Sequence, residues 1–225
     1  MAEKLPELLV FLGRNTVTFF TPKNNFAKAL NIPETAVKDL EVVDPNLLGS
    51  EIRGFLEKEK ISATRTIVII SDPISFTRDI PLSEENKKGI LVQDFIDNIP
   101  LESPEVKVFK ENELNKAVAV NPKYYEVIIE SLTAKGFTIF GVVPAIVIPE
   151  IRILPAITVD IAKKVIDNFG KIKYQNFVDV TLPAQQGVSQ GIITKEKPKG
   201  PRIWLLLGIF GLMILILVVM LLLRK

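Results

Sequence analysis

Hydrophobic and polar positions follow two rhythms along most of the chain, a period near two and a period near 3.6, and the final stretch abandons both. The runs 8–12 (LLVFL) and 16–20 (TVTFF) flank Gly13-Arg14-Asn15, which predicts two strands joined by a hairpin turn. From Ser50 to about Lys60 the spacing turns helical, with Ile52, Phe55 and Leu56 on one face. The run 66–70 (TIVII) is nearly all apolar, so it is expected to be a central strand covered on both faces.

Asp72-Pro73 marks a turn, and 75–80 then alternates as a more exposed strand. Ser83, followed by Glu84 and Glu85, is the expected cap of a helix carrying Ile90, Leu91, Phe95 and Ile96 and stopping near Asn98. Two further strands are predicted at 106–109 and 116–120. Asn121-Pro122 opens a helix that Gly136 ends. Residues 137–147 read as a strand interrupted by Pro144, which confines it to an edge or bends it. Thr158 caps the last helix of this kind, with Val159, Ala162, Val165 or Ile166, and Phe169 on one face and Gly170 at its end. Lys163, Lys164, Lys171 and Lys173 lie on or just past its polar side. Docking on its own domain is preferred to contact with an anionic bilayer. Strands alternating with helices over residues 1–180 predict one α/β (α+β) domain with a mixed sheet.

From about Pro183 to Pro201 the chain is rich in Gly, Gln, Lys and Pro, a flexible tether of 19 residues able to reach at most roughly 65 Å. The assignment is a linker over 181–202 and a membrane helix over 203–223. The latter reads IWLLLGIFGLMILILVVMLLL, with no charge across 21 positions. At about 1.5 Å per residue such a helix is about 31 Å long, which matches a hydrocarbon core of about 30 Å. Ile203 and Leu223 bound it, and Trp204 sits where an indole favours the interface. Gly208 and Gly211 are three apart, so the small-residue dimer motif with a spacing of four is not met.

Lys195, Lys197, Lys199 and Arg202 precede this segment against Glu196, while only Arg224 and Lys225 follow it. That bias predicts a single-pass, tail-anchored protein of the cytoplasmic membrane, with its N-terminal domain in the cytoplasm. The start, MAEKLPELLVFLGRN, has no continuous apolar core of a secretory signal.

Charge and composition narrow the chemistry. The chain holds 28 basic and 26 acidic residues; the last 31 residues take six and one of them, leaving the first 194 at a net charge of −3. Nothing in that balance calls for nucleic acid. The absence of Cys and His removes disulfides, thiolate and imidazole metal sites and the Cys or His catalytic dyads. No catalytic, cofactor or metal residue is assigned. Ser71, Asp72, Ser75 and Asp79 form the best polar cluster, and without His or Cys to activate a hydroxyl they are read as structural.

Over residues 63–150 the order TIVIISD, SFTRDIPL, a helix closing in Phe95-Ile-Asp-Asn-Ile-Pro-Leu101, then NKAVAVNPKYYEVIIESLTAKGFTIFGVVPA resembles a known family. It is the N-terminal half of the actin-like pilus-assembly proteins of the PilM type and their secretion relatives, the GspL cytoplasmic domains. The resemblance implies a truncated actin-like (RNase H-like) half-domain, partners among the inner-membrane components of a type IV pilus or type II secretion machine, and a groove between the core sheet and the 83–101 subdomain.

Actin-like ATPases carry D-x-G at the end of the first strand. Here Phe11 stands at the position of the Asp, while Gly13 is retained and read as a turn residue. The second, nucleotide-binding half of such proteins is replaced by tether and membrane helix. The expected role is therefore a non-catalytic adaptor or scaffold tethered to the bilayer. The alternative is a nucleotide-binding actin-like protein, alone or completed by a second chain.

Overall fold

The structure is a computed structural model, and it describes residues 5–111, 114–152, 154, 156–178 and 193–194. The elements in chain order are β1 (Leu8–Leu12), β2 (Thr16–Thr21), β3 (Phe26–Asn31), β4 (Val37–Lys38), β5 (Glu41–Val42), α1 (Pro45–Lys58), β6 (Arg65–Ile70), β7 (Ser75–Pro81), α2 (Lys88–Asp97), β8 (Glu105–Glu111), β9 (Leu114–Val120), α3 (Pro122–Ala134), β10 (Thr138–Pro144), α4 (Val159–Asp167), α5 (Phe169–Ile172) and β11 (Ile193–Thr194).

Three sheets result. The five-stranded sheet has the order β10-β6-β1-β2-β3, the four-stranded sheet β11-β8-β9-β7, and β4 pairs with β5 alone. In the larger sheet β1 runs antiparallel to β2 and parallel to β6, and β6 is parallel to β10, so the sheet is mixed as expected. The smaller sheet is inserted between β6 and β10.

The core follows from the apolar runs. All five residues of β1 and residues 66–70 of β6 are at most 3% exposed. Each large aliphatic side chain so buried contributes roughly 1.5–3 kcal/mol. Phe19 of β2, opposite Val10 in the register, stacks on Phe55 of α1 at 5.4 Å between ring centroids. The helices α1 and α3 pack against each other, α4 meets β2, and Phe169 of α5 tilts against Phe140 of β10. A second apolar cluster, with Ile80, Val92, Phe95, Ile96 and Val106, lies between α2 and the inserted sheet.

Several boundaries differ from those expected. α1 begins at Pro45, not at Ser50, because Asp44 caps it with its carboxylate, accepting from the N–H groups of Asn46 and Leu47 at 3.0 Å. Ser50 instead bonds back to the Leu47 carbonyl. Ser83 does not cap α2: pairing of β7 runs on to Pro81 opposite Leu114, residues 82–87 coil into 3-10 turns, and α2 starts at Lys88. Gly170 does not end the last helix, since α4 stops at Asp167 and Gly170 lies within α5.

Other expectations match. Asn121 caps α3, and Gly136 after it adopts φ 85°, the left-handed region open to glycine. β10 is an edge strand and ends at Pro144. Thr158 caps α4, whose Ala162, Val165 and Ile166 are buried in the main core, so this helix docks on its own domain.

Residues 1–194 form one compact unit, which contains every described residue. Among the described residues no helix is long and apolar enough to cross a membrane. The apolar segment with Ile203, Trp204, Gly208, Gly211 and Leu223, and the basic group Lys195, Lys197, Lys199 and Arg202, lie outside the described residues.

Candidate functional site

Two places in the fold could carry function, and their geometries are opposite. The first is where β1 and β6 end and the β1–β2 turn meets the start of α3. Gly13 closes that turn by bonding the Thr16 carbonyl at 2.8 Å, and a Cβ on Gly13 would stand 2.7 Å from the Thr16 hydroxyl. Close packing therefore favours glycine here, since any larger residue would have to push the Thr16 hydroxyl aside. Phe11 is 3% exposed, held among the apolar side chains of the main core.

Side chains of this chain close the junction. The Tyr124 hydroxyl donates to the Gly13 carbonyl at 3.1 Å. The Asn121 amide donates to the Leu40 carbonyl at 2.9 Å and to the Glu41 carboxylate at 2.8 Å, which fixes the β4–β5 turn over the same place. Asp39 and Leu40 both adopt positive φ there, at 49° and 67°, a costly conformation for a leucine. The cavity left between Leu12, Ile70, Ile74, Val120 and Tyr124 is about 10 Å³. That is about the space of one water.

Of the polar cluster singled out from sequence, Ser71, Asp72 and Ser75 stay together in one turn and Asp79 stands apart. Ser71 is fully buried at the end of β6, and its N–H donates to the Leu12 carbonyl. The Ser75 hydroxyl donates to the Asp72 carbonyl at 3.3 Å. Asp79 pairs instead with Lys116, directly opposite it on β9. Among the described residues no group of three carboxylate, thiol or imidazole side chains is placed to hold a metal ion.

The second place is an open groove of about 570 Å³ between α3 and the start of β8. Its apolar lining is Pro122, Tyr125, Ile129, Phe177 and Val178; Glu105, Glu126 and Glu130 supply the charge, and among the described residues no lysine or arginine lines it. Glu126 and Glu130 are one helical turn apart and exposed, whereas Glu105 is 6% exposed and accepts the Tyr125 hydroxyl proton. Burial, and then that bond to Glu105, pushes the Tyr125 phenol far above its ordinary value. Tyr124 is pushed up by burial as well.

Phe177 is held edge-on to Phe109 of β8, with centroids 5.7 Å apart. Asn176 fixes it in place: its side-chain oxygen accepts from Val142 and Val178, and its backbone carbonyl accepts from the buried Lys107 ammonium. The groove floor is thus tied to both sheets. α2 packs elsewhere on the inserted sheet, so the 83–101 subdomain supplies none of the groove's lining. This groove is not visible in the sequence, because Glu105, Glu126 and Phe177 converge only through tertiary packing. A third depression, of about 330 Å³, is lined by Glu7 and Glu59 but equally by Lys23 and Lys60, and has no such bias.

No protein-family model matches the chain, and no curated protein does. Among solved structures, it is similar to the cytoplasmic domain of EpsL, an inner-membrane component of the type II secretion system of Vibrio cholerae. That likeness has 14% identity and a TM-score of 0.39, and it covers 62% of this chain and 57% of that one. The PilM–PilN type IV pilus biogenesis complex gives 14% identity and a TM-score of 0.40, over 61% and 46% of the two chains. A protein of actin-like ATPase fold and unknown function from Bacteroides thetaiotaomicron gives 18% and 0.33, over 59% and 51%. The chain thus spans about half the length of these three solved structures.

Proposed function

We propose that this chain is a non-catalytic adaptor, tethered to the cytoplasmic membrane by residues 203–223, that serves an envelope assembly of the type IV pilus or type II secretion kind. The observation that carries the non-catalytic part is the closed junction. Phosphate binding at a strand-to-turn glycine needs backbone N–H groups facing open space and a carboxylate for the metal. Here Tyr124 binds Gly13, Phe11 occupies the position of the carboxylate, and about 10 Å³ remains.

The groove between α3 and β8 is the docking site in this reading. Its apolar floor with carboxylates, and no cation among the described residues, suits an extended partner segment with alternating apolar and basic side chains. The link to a pilus or secretion machine rests on the run of motifs over residues 63–150.

Two measurements test it. A photo-crosslinking residue at Ile129, in the native organism, is expected to capture an inner-membrane component of such a machine, and a recurrent capture of unrelated soluble proteins would count against it. Thermal unfolding of the full chain is expected to be unchanged by Mg-ATP; a rise in Tm means nucleotide binding and overturns the non-catalytic assignment.

A further inference from the structure

The outward face of α4 and α5 has no role in the adaptor groove. With Ala162, Val165 and Ile166 turned into the core, the exposed positions along α4, α5 and the turn after them include Asp160, Lys163, Lys164, Asp167, Lys171 and Tyr174. Lys163, Lys164 and Lys171 are exposed, and Tyr174 is 64% exposed, the largest exposure of any aromatic side chain among the described residues. Lys163 and Lys164 lie on α4, while Lys171 lies on α5 and Tyr174 in the turn after it, beyond the break at Asn168.

Two more lysines border it. Lys173 places its ammonium 5.0 Å from the centre of the Tyr174 ring, and the 3-10 turn bearing Lys23 packs against α4. The carboxylates on or beside this face are Asp160, Asp167 and Glu150, the last accepting a bond from Asn168. Lys23 faces Glu7, and without that pair four lysines against three carboxylates leave the patch positive, although residues 1–194 as a whole carry −3.

We propose that this face lies against an anionic bilayer surface. The inference rests on the membrane-tether reading above. A helix with its apolar face already buried cannot insert, so contact is confined to headgroups, where lysine ammonium groups meet lipid phosphates and a tyrosine ring favours the interface. Strand β11 ties the chain back to β8 at Thr194, and only eight residues then precede Ile203, so the bilayer stays within roughly 30 Å of the domain even if those residues are fully extended. Contact through α4 and α5 leaves the acidic groove, which an anionic surface repels, free for a partner.

The test is lysine acetylation read by mass spectrometry on the full chain in nanodiscs, with phosphatidylcholine alone or with added phosphatidylglycerol. The expected result is acetylation of Lys163, Lys164 and Lys171 slowed about threefold or more by the anionic lipid. Exposed Lys38 and Lys123 serve as references and are expected not to change. The protection is expected to vanish at about 1 M salt, where the screening length falls to about 3 Å. It is also expected to vanish at the bordering Lys173, protected together with the others in the unaltered chain, in K163E/K164E/K171E; K163Q/K164Q/K171Q replaces that variant if charge reversal impairs folding.

Equal labelling in the two lipids overturns the proposal, as does protection that survives 1 M salt or that duplex DNA produces in place of lipid. A chain recovered outside the discs refutes the tether instead. The same labelling with added vesicles of the two compositions then decides the patch by itself.

Discussion

Tyr124 donates its hydroxyl proton to the carbonyl of Gly13, 111 residues away and 3.1 Å distant, and so joins the first turn of α3 to the hairpin that opens the chain. Both partners are buried, so Tyr124→Phe leaves the Gly13 carbonyl without this bond. The expected loss is about 1–3 kcal/mol in urea unfolding, seen as a lower midpoint with an unchanged slope. Tyr124→Phe alone is also expected to leave Mg-ATP without effect on Tm, because Phe11 and the fixed β4–β5 turn stay in place.

Asn176 makes a similar closure between β10 and β8, and Gly141 is the residue that permits it. A Cβ at Gly141 would lie 3.0 Å from the Asn176 amide nitrogen. That amide cannot move aside cheaply, because its oxygen holds the Val142 and Val178 N–H groups at 2.8 and 2.9 Å. Gly141→Ala is therefore expected to destabilise by about 1–3 kcal/mol, and Asn176→Ala by a similar amount through two abandoned donors. Thermal unfolding of the two variants and their combination checks the pair. The double loss is expected to be less than additive, because Asn176→Ala removes the amide that the methyl introduced by Gly141→Ala would strike.

How far the sequence can be read depends on whether a signal is local. TIVII and LLVFL announce buried strands because every position in them is apolar or nearly so, and Asn121-Pro122 with Gly136 brackets α3 by local capping chemistry alone. β3 gives no such sign, because FAKALN is an edge strand with only Leu30 buried, so its pattern lacks alternation. Ser50 stands inside α1, since Asp44-Pro45, a stronger capping pair, lies six residues earlier. Ser83 fails as a cap because the β7–β9 ladder, a tertiary constraint, reaches Pro81. The groove depends on residues 105, 126 and 177 meeting, which no spacing in the chain reveals. Phe11, where the resemblance would place a carboxylate, is legible in the sequence itself, whereas the plug formed by Tyr124 and Leu40 is not.

The groove makes a prediction that separates binding from stability. Glu126 and Glu130 are exposed, and α3 draws on neither for an ion pair among the described residues. E126K/E130K is expected to shift stability by no more than about 0.5 kcal/mol while abolishing the photo-crosslink from Ile129. Unchanged crosslinking in this variant would show that the acidic rim does not select the partner.

Near the N-terminus, Glu7 accepts from the Thr64 hydroxyl at 2.8 Å and pairs with Arg65. The Thr64 bond, then the arginine charge, holds its carboxyl below the ordinary 4.5. With a depressed folded value, the stabilisation is present above about 4.5 and fades as pH falls through the folded value. The group is fully exposed, so the effect on overall stability is small. Its direct sign is an NMR titration of the Glu7 carboxyl, whose midpoint is expected to rise toward 4.5 in Thr64→Val.

Tyr124 and Tyr125 set the opposite limit, at alkaline pH. Burial raises both phenols above the ordinary 10, and the bond to Glu105 raises Tyr125 further. In the unfolded chain they ionise near about 10, while in the folded chain they keep their protons. The folded state therefore binds more protons than the unfolded state above about pH 10, and stability falls as pH rises from there. Near-ultraviolet circular dichroism and phenolate absorbance, followed together in a pH titration, are expected to show these two tyrosines ionising only as tertiary structure is lost. In Tyr125→Phe, one buried phenol fewer opposes folding at high pH, and the alkaline unfolding limb is expected to be shallower. Ionisation of both phenols with the tertiary signal intact would mean that the closed junction opens readily, and the non-catalytic reading would lose its structural basis.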